Sequence, residues 1–97
     1  MNKITAAITA VCGYVPDYDL SNKVLETMVN TNDEWILSRT GISERRLLKT
    51  AGKGTSYLAI QAAKDLFQRG NINPEEIDLI ILATTTPDMP VASTGVY

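Results

Sequence analysis

A chain of 97 residues with 44% apolar side chains suffices for one small domain with a thin core. Nine basic against eleven acidic residues leave a net charge of −2, which argues against nonspecific nucleic-acid binding and against a polybasic membrane surface. The lack of histidine removes imidazole acid–base chemistry and imidazole metal ligation, and a single cysteine excludes an internal disulfide.

Taken in order, Lys3 to Gly13 reads as a strand, with Ile4, Ala6, Ile8, Ala10 and Cys12 on one face at period two. Cys12 belongs to that apolar set. With no base close in sequence to lower its pKa, it reads as a small buried hydrophobe. Gly13-Tyr-Val-Pro16 breaks the strand, and Asp17 to Leu20 reads as a loop. Ser21 is the expected N-cap of a helix through Val29, whose apolar stripe is Val24, Leu25 and Met28. Asn30 marks its end.

Thr31 followed by Glu34 has the form of a capping box, and Gly41 supplies a left-handed stop, so a short helix is expected between them. Thr31, Trp35 and Arg39 are four apart and share one face of it. That spacing admits two readings. Trp35 can be core and Arg39 a solvated charge. Alternatively the two grip a flat ring by stacking and cation–π attraction, with the guanidinium fork also able to meet a phosphate.

Glu44 to Thr50 reads as a short extended segment. Its Arg45–Arg46 pair is suited to solvent, to a phosphate-rich ligand or to an acidic carrier protein. Ala51-Gly-Lys-Gly54 is a flexible loop without the spacing of a nucleotide-binding loop. Thr55 is the expected cap of a helix to about Arg69, with Leu58, Ala59, Ala62, Ala63 and Leu66 on one side and Gly70 closing it. Asn73-Pro-Glu-Glu76 signals one helical turn. It leads into Ile77 to Ala83, an apolar run suited to a strand buried on both faces of a parallel sheet. Strand, helix and buried strand imply an α/β fold with a right-handed βαβ crossover. The loop from Thr84 to Pro90 then lies where open α/β sheets bind ligands. Ser93-Thr94 has the look of another helix start, only a few residues before Tyr97, which implies a truncated chain. No apolar run is long enough for a membrane span, and no signal peptide is visible at the N-terminus, so a cytoplasmic location is expected.

Asp33-Glu-Trp-Ile-Leu-Ser-Arg-Thr-Gly-Ile-Ser-Glu-Arg-Arg46 resembles the D-E-W-I-x-x-R-T-G-I-x-E-R signature of the β-ketoacyl-acyl carrier protein synthase III family, among the thiolase-like condensing enzymes. The resemblance runs from the Lys3 strand to Thr86. It implies a thiolase-like α/β fold, five-layered in the whole enzyme. Residues 1–97 would then be the N-terminal portion of its first half, cut at the start of a helix. It implies acyl transfer from acyl-CoA to a cysteine, then condensation with malonyl-acyl carrier protein and loss of CO2, in a homodimer without cofactor or metal. Trp35 and Arg39 match the pair that sandwiches the CoA adenine, and Thr31 and Thr40 match positions at the same mouth. Met89 to Val91 matches a loop that reaches across the dimer interface toward the partner's acyl pocket. Val91 stands where straight-chain enzymes often carry phenylalanine, which points to a wider pocket. The family's nucleophilic Cys and its His and Asn have no matching position here, Cys12 included, so the chain alone is expected to be inactive. Two alternatives remain beside this reading. One is another condensing enzyme, of polyketide or hydroxymethylglutaryl-CoA synthase type; the other is a small non-catalytic domain that binds CoA or a protein.

Overall fold

The computed structural model describes residues 3–89, which gather into two units: Val15–Lys53, and residues 3–14 with 54–89. In the first, β1 (Tyr18–Ser21) pairs antiparallel with β2 (Glu44–Leu47), setting Leu20 opposite Arg45 and Asp19 opposite Arg46. The extended reading of Glu44 onward is borne out. The loop expected over Asp17 to Leu20 is corrected, because the distant Glu44–Leu47 segment supplies a hydrogen-bonding edge that no local pattern announces. Leu20, only 7% exposed, is the buried apolar residue of this unit.

Ser21 caps α1 (Asn22–Met28) as expected, its hydroxyl accepting the Val24 N–H at 3.3 Å. Helix α2 (Asp33–Thr40) starts one residue later than the capping-box reading has it. The cap is Asn32, whose side-chain oxygen accepts the Trp35 N–H at 2.7 Å. Thr31 stays in the turn and donates its own N–H to the Val29 carbonyl at 2.9 Å. The box fails for a geometric reason: with Asn32 as cap, Glu34 falls at the second helical position, not the third. A different carboxylate serves instead, Glu26 accepting the Asp33 N–H at 2.7 Å. Gly41 ends the helix as expected, at φ 70° in the left-handed region, with its N–H on the Leu37 carbonyl at 2.8 Å.

In the second unit, α3 (Thr55–Arg69) carries the predicted apolar stripe, but Thr55 is its first residue and not its cap. Gly54 occupies the cap position and has no side chain to offer. Asp88 replaces it from the later loop, accepting the Ser56 N–H at 2.8 Å and the Ser56 hydroxyl, while Thr55 donates to the Thr86 carbonyl. A Cβ on Gly54 would stand 3.3 Å from the Asp88 carboxylate, so the small residue makes room for the incoming cap. At the other end Gly70 closes the helix in right-handed geometry, and Asn71 takes the left-handed position at φ 50°. The Ile72 N–H returns to the Phe67 carbonyl at 2.9 Å, which makes this a Schellman ending. The one-turn signal at Asn73 is realised as a 3-10 turn over Pro74–Glu76, with the Asn73 side chain accepting the Glu75 N–H at 3.1 Å.

The two expected strands are not formed as ladders. Residues 3–16 and 77–84 carry no sheet pairing among the described residues, and Ile8 and Ile81 are 88% and 83% exposed. Alternation gives a segment its preference, but a strand exists only when a neighbour takes its N–H and C=O groups. Here no described segment of this unit does so. The apolar face of α3 and the 77–82 run instead line an open groove of about 570 Å³, together with Cys12.

A candidate coenzyme-binding face on helix α2

Trp35 is not core: it is 55% exposed, in the first turn of α2. One turn later the Arg39 guanidinium lies over the indole, 5.6 Å from the ring centroid. This is the geometry of a cation–π pair, and it follows directly from the i, i+4 spacing. Ile36 is half-buried on the other side of the helix, while the Trp35 and Arg39 face is open to solvent.

Thr31 lies outside α2 and so does not share its helical face. It nonetheless lines the same shallow recess as Trp35, of about 220 Å³, with Asn30 and Asn32. Thr40 is placed differently. Its hydroxyl donates to the Ile36 carbonyl at 2.7 Å and accepts the Ile42 N–H at 3.0 Å, so it is engaged in ending the helix. Met89 is the last described residue and about half exposed. Val91, and the helix start expected at Ser93-Thr94, lie outside the described residues.

Of the basic pair, Arg45 is committed internally. Its guanidinium donates to the Asn22 side-chain oxygen at 2.7 Å and to the Leu20 carbonyl at 3.1 Å. Arg46 is exposed and reaches the Pro16 carbonyl at 3.4 Å. Asn22 itself is 1% exposed and fully bonded. Its amide nitrogen donates to Asp33 Oδ1 at 2.8 Å and to the Ile42 carbonyl at 2.7 Å, and its backbone N–H reaches the Ser43 carbonyl at 2.9 Å. Sequence reasoning missed this residue. Its partners are 11 to 23 positions away, and the one local hint is an amide side chain inside a helix already capped by Ser21.

Cys12 is only partly exposed, and its thiol donates to Asp65 Oδ2 at 2.7 Å. Asp65 in turn meets Arg69 one turn along α3, at 2.9 Å. The bond to the Asp65 carboxylate raises the Cys12 pKa, with desolvation adding to it. Raising the pKa suppresses the thiolate, the opposite of what a nucleophile needs. Among the described residues no group of His, Cys, Asp and Glu side chains could hold a metal ion, and no helix is long and apolar enough to cross a membrane.

No family model matches the chain. Individual proteins match it closely. The β-ketoacyl-[acyl-carrier-protein] synthase III of Phocaeicola vulgatus is 56% identical over 95 residues, which make up 98% of this chain and 28% of that protein. That of Porphyromonas gingivalis is 57% identical over 95 residues, with the same coverage. Among solved structures, the Thermus thermophilus synthase III superposes with a TM-score of 0.80 at 39% identity, over 94% of this chain and 28% of that one. The Aquifex aeolicus 3-oxoacyl-[acyl-carrier-protein] synthase III gives 0.76 at 46% identity, over 90% and 29%. The chain thus spans a little over a quarter of the length of the proteins it matches. Over nearly its whole length the chain is thus similar, in sequence and in backbone, to part of the β-ketoacyl-[acyl-carrier-protein] synthase III enzymes, and it carries the corresponding part of their thiolase-like α/β fold.

Proposed function

We propose that the chain forms the coenzyme entrance of an initiating condensing enzyme of fatty acid synthesis, as the N-terminal portion of its first half. In that reaction an acyl group passes from acyl-CoA to a cysteine thiolate, releasing CoA. Malonyl-acyl carrier protein then loses CO2, and the resulting carbanion attacks the acyl-enzyme carbonyl, freeing the thiolate. The nucleophile and its His and Asn partners are not among these 97 residues. Their contribution is to hold the CoA. The observation that carries this reading is the exposed indole with Arg39 lying 5.6 Å over it. A ring stacked on both groups needs about 7 Å between them, two contacts of about 3.5 Å. The flexible Arg39 stem therefore swings outward to admit adenine, and closes on it.

The same reading gives Thr31 a place at the mouth, through the recess it shares with Trp35, and gives Thr40 an indirect role in ending α2. It assigns Met89 and Val91 to a loop at the acyl pocket of a cytoplasmic homodimer. The test is steady-state kinetics of Trp35→Ala and Arg39→Ala in the full-length gene product. KM for acyl-CoA rises while kcat is retained. Unchanged KM in both variants refutes the reading.

A further inference from the structure

We infer that Asn22 is a positioning residue for coenzyme binding: one buried amide ties down both ends of α2 and so fixes where Trp35 and Arg39 stand. The inference rests on the coenzyme-entrance reading above. Both amide hydrogens are used on the α2 segment, one on Asp33 at its first residue and one on the Ile42 carbonyl just beyond its last turn. The left-handed Gly41 between them turns the chain so that a single side chain meets both. The amide oxygen is in turn held by Arg45 on β2, and the Asn22 N–H by Ser43. Both donor hydrogens of this side chain are used and its oxygen is engaged by Arg45, and its 1% exposure means that a lost bond leaves an unpaired group inside. Helix α2 has only eight residues and buries none of them fully, so it has little packing of its own to resist a tilt. A small tilt displaces a stacking pair far more than it disturbs a distant reacting carbon.

The test uses the full-length gene product. Asn22→Asp keeps the size but replaces the donor with a carboxylate oxygen that faces Asp33 and the Ile42 carbonyl. KM for acyl-CoA rises about three- to tenfold, with kcat and the KM for malonyl-carrier protein within about twofold of wild type. The same substitution made on top of Trp35→Ala raises KM by less than it does alone, because Asn22 acts through that face and only Arg39 is left there to misplace. Adding Asp33→Asn to Asn22→Asp restores the bond to residue 33 in reverse, though not the one to the Ile42 carbonyl, and recovers part of the loss. A merely structural residue predicts otherwise: lowered kcat, losses that add to Trp35→Ala, and no recovery by the reversed pair. Any of those results overturns the inference. Should Asn22→Asp not accumulate in soluble form, Asp33→Ala removes only the helix's side of the bond and is read in the same way. If Trp35→Ala itself leaves KM unchanged, the coenzyme reading fails; if it raises KM and Asn22→Asp does not, only the positioning role fails.

Discussion

At the scale of single residues, burial separates a binding tryptophan from a core one. A buried Trp replaced by Ala costs about 3–5 kcal/mol of stability. Trp35, at 55% exposure, has much less apolar area to lose. Its removal should therefore leave the thermal midpoint nearly unchanged. Affinity is where the loss appears. A cation–π partner is worth about 0.5–2 kcal/mol, which corresponds to roughly two- to thirtyfold in KM for acyl-CoA. Arg39→Lys should recover part of the Arg39→Ala loss, since charge returns but the planar fork does not. Differential scanning calorimetry beside acyl-CoA kinetics checks both. A Trp35→Ala protein with a sharply lowered midpoint and a normal KM would return the residue to a structural role.

At the scale of elements, the end of α2 and the start of α3 both depend on chain geometry that a single substitution can reach. Gly41 sits at φ 70° with nothing within 4 Å of where a Cβ would lie, so Gly41→Ala meets a backbone penalty and no clash. The left-handed conformation costs a non-glycine residue about 1–2 kcal/mol, partly offset by a less flexible unfolded chain. Chemical denaturation should show a net loss of about 1 kcal/mol, and a smaller one for Gly41→Asn, because asparagine tolerates this region. The start of α3 is sensitive to pH. Hydrogen bonds from the Ser56 hydroxyl and the Ser56 N–H hold the Asp88 carboxyl below its ordinary value, and desolvation opposes them more weakly. A folded-state pKa below the unfolded one stabilises above the unfolded pKa, and that stabilisation is lost as pH falls through the folded value. Asp88→Asn should thus lower the unfolding midpoint near neutrality, with the gap from wild type closing in acid. A gap that stays constant down to strongly acidic pH would show that the Asp88 charge does not support the helix.

At the scale of the whole molecule, the described residues bury very little. Leu20 and Asn22 are the buried side chains among them, while Ile8, Leu79, Ile80 and Ile81 stand open. The 77–84 run is a β-prone apolar segment without sheet pairing among the described residues, which is the recipe for edge-to-edge pairing. The 97-residue chain on its own should associate, with its mean mass in sedimentation rising with concentration. A sharp monomer at high concentration would mean that these residues find cover within one chain.

Local chemistry was legible from the letters. The Ser21 cap, the Gly41 stop, the apolar stripe of α3, the Asn73-Pro turn and the i, i+4 placing of Arg39 on Trp35 all follow from interactions spanning four residues or fewer. The contiguous Asp33–Arg46 signature likewise pointed to the family that the comparisons support. Other features could not be read in advance, because their partners are far off in the chain. β1 needed an edge 26 residues away, Asn22 needed Asp33, Ile42 and Arg45, and the cap of α3 came from Asp88, 32 residues beyond Ser56. The alternating run at 3–13 and the continuous apolar run at 77–83 show the same limit from the other side. Periodicity sets which face of a strand is apolar. Only a neighbouring strand, brought up by tertiary contact, satisfies its backbone and makes it a sheet.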